Sequence, residues 1–174
     1  MRRIYESEAL SRDDDTPFVP GEEGKGRQYR SINWENASHA LVPQWVRPLA
    51  IDVSIETNQT HYHHEEPVAF RVEFRNRLPI PISLSTLSPV RWTWALDDIE
   101  EASHVERPVP DEGSTFQFDR AERKRFTRQW SQQFRESKSE WEVAEPGEHT
   151  VSVQVNTDRG VERLSDSATF VIEE

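Results

Sequence analysis

The chain predicts an all-β protein, an antiparallel immunoglobulin-like β-sandwich of about seven or eight strands with an irregular N-terminal extension. Three observations carry that prediction. From Pro67 to Leu96 the apolar residues fall on even positions: Val68, Phe70, Val72 and Phe74, then Leu78, Ile80, Ile82 and Leu84, then Val90, Trp92, Trp94 and Leu96. Successive side chains of a strand point to opposite faces, so a period of two over that length marks half-buried strands. Second, turn residues punctuate the apolar runs at roughly eight- to twelve-residue intervals, the spacing of a sandwich. Third, 174 residues suit one domain with an appendage, so a single core is expected.

Residues 1–46 read as a polar, partly disordered extension. Charges, Pro17, Pro20, Gly21, Gly24 and Gly26 dominate its first part, and the apolar residues have no period. Trp34, Leu41, Val42, Trp45 and Val46 add an apolar load to its second part, which is expected to pack on the sandwich through a short helix near Trp34 to Leu41. The sandwich occupies 47–174. Leu49, Ile51, Val53 and Ile55 share one parity and begin the first strand, and Pro67 to Arg75 forms the second. A turn at Asn76-Arg77-Leu78-Pro79 leads to Ile80 to Ser85, which Pro79 and Pro81 confine to an edge or an irregular stretch. Val90 to Leu96 is the next strand, ended by Asp97-Asp98. A polar connection, Glu100 to Ser114, precedes a short strand at Thr115 to Phe118.

From Glu122 to Phe134 two periods compete. Phe126, Trp130 and Phe134 recur every four residues, as on a helix, yet they also share the parity of a strand. Strand is preferred because the neighbouring segments are strands. Trp141 and Val143 mark a further short strand. Glu145-Pro146-Gly147-Glu148 has the residues of a type II turn, with Pro presetting φ and Gly supplying a positive φ. Val151, Val153 and Val155 follow, and Thr157-Asp158-Arg159-Gly160 forms a hairpin into Val161 to Ile172. Phe70, Val72, Phe74, Trp92, Trp94, Val151, Val153 and Phe170 are the expected core.

Composition narrows the function classes. Asp and Glu number 32 against 21 Lys and Arg, a net charge of -11, whereas proteins that grip phosphate backbones cluster basic residues; no nucleic-acid partner is expected. The lysines are Lys25, Lys124 and Lys138, so nearly every cation is arginine. Abundant carboxylate with few lysines and no cysteine resembles proteins of extreme halophiles, an inference about solvent rather than activity. Without cysteine there is no disulfide and no thiolate ligand or nucleophile. No apolar run approaches the roughly 20 residues of a membrane-spanning helix, so a cytoplasmic location and no membrane partner are expected.

One cluster has metal-ligand character. In His61-Tyr62-His63-His64-Glu65-Glu66 an extended chain places His61, His63 and Glu65 on one face, where imidazole and carboxylate could meet zinc or nickel, with His104 or His149 as a distant ligand. A solvated polar turn is the simpler reading, so no metal and no cofactor is expected. Arg120, Arg123, Lys124, Arg125 and Arg128 form the one basic run in an acidic chain. Arg123, Arg125 and Arg128 are the candidate partner-binding residues, set against a reading in which they merely pair with acidic neighbours. Trp92 and Trp94 could stack on carbohydrate, but their parity with Val90 and Leu96 favours the core. No GxSxG, HExxH, P-loop or GxGxxG pattern is present, so no catalytic residue is expected and the chain is not read as an enzyme.

Phe118-Asp119, Trp130, Trp141 and the block Pro146-Gly147-Glu148-His149-Thr150-Val151, leading into Val153 and Val155, resemble the bacterial intracellular proteinase inhibitor family of immunoglobulin-like sandwiches. His149 stands where that family has Tyr. Arg75-Asn76-Arg77-Leu78-Pro79, Ser88-Pro89-Val90-Arg91-Trp92-Thr93-Trp94 and Ser139-Glu140-Trp141 are similar to a haloarchaeal protein family of unknown function. The resemblance implies a sandwich fold and protein binding; no inhibitory residue carries over. The expected function is a non-catalytic protein-binding module of unknown partner, in a narrower form proteinase-inhibitor-like. Two alternatives stand beside it: a metal-binding or hydrolytic enzyme using the His61–Glu66 turn, and an assembly component docked through the extension.

Overall fold

A computed structural model describes residues 42–158 and 160–174. The expected helix near Trp34 to Leu41 lies outside them. Nearly all regular structure is strand: β1 (Ile51–Thr57), β2 (His61–Tyr62), β3 (Val68–Asn76), β4 (Ile82–Thr86), β5 (Trp92–Leu96), β6 (Ile99–Glu100), β7 (Ser114–Phe118), β8 (Arg123–Trp130), β9 (Gln133–Arg135), β10 (Trp141–Val143), β11 (Gly147–Val155) and β12 (Ser165–Ile172). Among the described residues two short 3₁₀ turns, Arg47–Ala50 and Val161–Arg163, accompany the strands.

A three-stranded sheet, β1-β3-β8, faces a five-stranded sheet, β2-β12-β11-β5-β6; β4 pairs with β7, and β9 with β10. All these pairs are antiparallel except β2 with β12, where Val171 and Ile172 run parallel to His61 and Tyr62. β3 buries Val68, Phe70, Val72 and Phe74 and turns Arg71 and Arg75 to solvent, the alternation that the sequence predicts. Its aromatics reach the facing sheet: Phe70 lies 5.1 Å from Trp94, and Phe74 lies 5.5 Å from Trp92, centroid to centroid. Val151, Val153, Val155, Leu96, Phe170 and Ile172 close the core from the other side.

The 122–134 ambiguity resolves as strand, interrupted once. Phe126 and Trp130 point inward from β8, after which Gln132 takes φ 56° and the chain restarts as β9. Several element starts shift from their expected positions. Pro48 in Arg47–Ala50 suits a tight turn, so β1 begins at Ile51 and Leu49 is left exposed. Pro81 defers β4 to Ile82, and β5 begins at Trp92, leaving Val90 exposed. Val161–Arg163 is helical before β12. Trp92 and Trp94 are half-buried residues packed against the core rather than sealed inside it.

Two buried polar side chains hold the loops. Asn76 Nδ2 donates to the Ile80 and Asp119 carbonyls at 2.7 and 2.8 Å, and its Oδ1 accepts from Leu78 N at 2.9 Å. The side chain therefore ties the expected turn after β3 to the β7–β8 corner. At the start of the domain, buried Arg47 donates from Nε to Val42 O at 3.1 Å, and Val42 itself joins the core.

Candidate functional site

The His61–Glu66 segment does not assemble a metal site among the described residues, where no three His, Asp or Glu side chains converge. The cause is local geometry. Glu65 takes φ 66°, which breaks the extended run that would align His61, His63 and Glu65. Gln132 fixes that bend: its Nε2 donates to His63 O and Glu66 O, both at 2.8 Å, and its Oε1 accepts from Glu65 N at 2.8 Å. His61 Nδ1 lies 3.1 Å from Thr60 Oγ1, while exposed His63 lies 3.6 Å from a Glu173 carboxylate oxygen. The backbone N–H of His63 and the Gln59 amide hold the Glu66 carboxyl below the usual carboxylate range.

The distant histidines proposed as further ligands serve elsewhere. His104 pairs with Glu136 at 3.4 Å. Buried His149 sets Nδ1 2.7 Å from Asp97 Oδ2 and Nε2 2.8 Å from Glu145 O. Asp97 and Asp98 take φ 49° and 68°, the left-handed pair of a two-residue hairpin loop between β5 and β6. Asp97 Oδ1 also accepts Thr150 N at 2.8 Å, which locks that loop to β11.

The basic run is assembled, on β8. Arg123 and Arg125 project from the outer face of the three-stranded sheet and share Glu73 of β3, whose carboxylate lies 3.7 Å from Arg123 Nη1 and 2.6 Å from Arg125 Nε. The bond from Arg125 holds Glu73 below the usual carboxylate range. Arg128 differs. It sits on the rim of the sandwich with its guanidinium 5.3 Å from the Trp92 ring, a cation–π contact. The pairing reading thus describes Arg123 and Arg125 in part, since two guanidinium groups divide one carboxylate. Lys124 turns the other way, pairing with Glu122 at 2.7 Å.

Beside β8 opens a groove of about 330 Å³ whose lining includes Trp92, Trp94, Phe116, Phe126 and Arg128. It exists because β8 ends its sheet: with no further strand over Phe126, the ring packs 5.1 Å from Trp92 and both keep an open side. The half-exposure of Trp92 and Trp94 has the same origin. Sequence reasoning found the cations but missed the groove. Its only signal was the conjunction of a basic strand with two tryptophans on a strand about 30 residues away.

Among the described residues no helix is long and apolar enough to cross a membrane. No curated protein matches the chain. Similar solved structures include the CARDB domain of the PF1109 protein from Pyrococcus furiosus, in complex with di-metal ions, at 10% identity, 71% of this chain, 87% of that chain and TM-score 0.44. A Pseudomonas fluorescens alkylpurine DNA glycosylase, bound to DNA containing an abasic site analogue, is similar at 16% identity over 81% of this chain and 38% of its own, with TM-score 0.44. A Listeria innocua β-glucosidase in complex with laminaribiose is similar at 17% identity, TM-score 0.41 and 71% of this chain; the match spans 16% of that enzyme. A family model matches residues 39–173, and on that match this chain belongs to the family of unknown function DUF7974.

Proposed function

We propose that this chain is a non-catalytic protein-binding module that presents the β8 edge and its aromatic groove to a partner. The observation that carries the reading is β8 itself: an eight-residue strand that, among the described residues, pairs with β3 alone and borders half-exposed Trp92. Unpaired edges of that length are templates for an added strand, and natural sandwiches cover them, shorten them or use them. The net charge of -11 supports a protein partner over a nucleic acid.

A proteinase as partner is the narrower form of the reading. It needs a loop held in the enzyme's cleft, and Glu106 to Gly113, exposed throughout and without regular structure, has the form required. The broad reading is tested by affinity capture from a native lysate at high salt, with the wild-type chain and with Thr127→Pro as baits. A specific partner retained by the wild type and lost from the variant is the expected result. No specific partner, together with turnover of a substrate panel by the purified chain, would contradict it.

A further inference from the structure

The β3–β8 register fixes which way the β8 backbone points. Asn76 N donates to Glu122 O at 2.9 Å, and the pairing continues as Phe74 with Lys124, Val72 with Phe126 and Phe70 with Arg128. Bonded pairs recur at every second residue of an antiparallel ladder. Lys124, Phe126, Arg128 and Trp130 therefore direct their peptide groups at β3, while Arg123, Arg125, Thr127 and Gln129 direct theirs outward. One of those outward groups, Thr127 O, accepts from Arg128 Nη1 at 3.1 Å. The opposite edge of the sheet is guarded differently: on β1 the N–H of Ile55 donates to Asp166 Oδ2 at 2.9 Å.

Side chains sort with the same period. Arg123 and Arg125 stand on the outer face beside the outward peptide groups, and Phe126 and Arg128 stand on the groove side against Trp92. A strand added to β8 sets one of its parities beside the arginines and the other over the aromatic rim. From Asp119 to Trp130 there are five cations (Arg120, Arg123, Lys124, Arg125, Arg128) and two carboxylates (Asp119, Glu122), a local excess of positive charge in a chain of net charge -11. A second copy of β8 laid against the first would oppose cation to cation, so this charge selects against self-pairing and for an acidic guest.

Resting on the binding-module reading, we infer that the β8 edge takes up one extended segment of a partner protein, in which carboxylate side chains alternate with apolar ones, as an added strand. The carboxylates lie beside Arg123 and Arg125, and the apolar residues cover Phe126 and Trp92.

The probe is a fluorescent peptide of about nine residues alternating Glu and Val, long enough to span a strand of this length. A Lys and Val alternating peptide is the control, and binding to the full chain is read by fluorescence anisotropy. Thr127→Pro removes one outward N–H and leaves the β3 bonds in place, since proline is tolerated where the N–H faces away from the sheet. A second variant, Arg123→Gln with Arg125→Gln, leaves the backbone untouched. The Glu and Val peptide is expected to bind saturably, each variant to weaken it by about tenfold or more, and added salt to weaken it further. The Lys and Val peptide is expected not to bind. Equal binding of both peptides, or affinity unchanged in both variants, overturns the inference. If the lysate yields a partner that Thr127→Pro loses while the Glu and Val peptide does not bind, the partner chemistry is wrong and the binding-module reading stands; if both experiments fail, both readings fall.

Discussion

Gly160 lies at φ 71°, and a Cβ placed there would come 2.8 Å from the Pro48 side chain. The residue joins the last turn of the sandwich to the turn that precedes its first strand, and only glycine fits both the dihedral and the approach. Gly160→Ala is expected to destabilise the chain by about 1–3 kcal/mol, from left-handed strain and the forced shift of Pro48, as read by urea unfolding. Gln132 is a polar residue with no exposure, and it answers three backbone groups of the 63–66 loop. Gln132→Leu keeps the volume and orphans those groups, so a loss of about 2–3 kcal/mol is expected, with faster amide exchange at Glu65. Glu73 gives a pH signature. Arg125 lowers its carboxyl from the ordinary value of 4.5, so the ionised group stabilises the fold above that value, and the contribution is lost as pH falls through the lowered one. The stability gap between wild type and Glu73→Gln is therefore expected to be full near neutrality and to close in acid. A gap independent of pH would remove the pairing.

At the scale of elements, β3 was legible because its neighbours on both sides leave one face buried and one wet, which writes a clean alternation into Val68 to Arg75. β8 was legible only in part. Its parity was readable, but Arg128 and Phe126 share the inner face at the sandwich rim, and an edge strand relaxes the rule that inward positions are apolar. The same edge explains why Trp92 and Trp94, with core parity, remain half-exposed. What sequence could not show is the third dimension of the candidate site. Glu73, the shared partner of Arg123 and Arg125, lies about 50 residues upstream, and the groove forms from β5, β7 and β8 together. Nor could it show that His61, His63 and Glu65 lose their common face, because the bend depends on Gln132, a residue without periodic signal. Turn chemistry was read better by residue type than by conformation: Gly147 does take a positive φ, 146°, but it opens β11.

Over the whole molecule, excess carboxylate sets the response to solvent. Thirty-two acidic against 21 basic residues leave a net charge of -11, and Arg and Lys ion pairs among the described residues, such as Arg71 with Glu56 at 2.8 Å, are surface pairs of the kind worth about 0–1 kcal/mol each. Screening therefore removes more repulsion than attraction, and the thermal midpoint is expected to rise from low to molar KCl; equal midpoints would show that repulsion does not limit stability. The functional account depends on one property of the folded chain, that β8 offers its outer backbone edge to a partner. Residue-resolved amide exchange by NMR reads that edge directly. In the free chain the amides of Phe126, Arg128 and Trp130 are predicted to exchange slowly and those of Arg125, Thr127 and Gln129 rapidly, and the second group is predicted to become protected when the partner or the Glu and Val peptide binds. Protection of Arg125, Thr127 and Gln129 already present in the free chain, or none gained in the complex, would contradict the account.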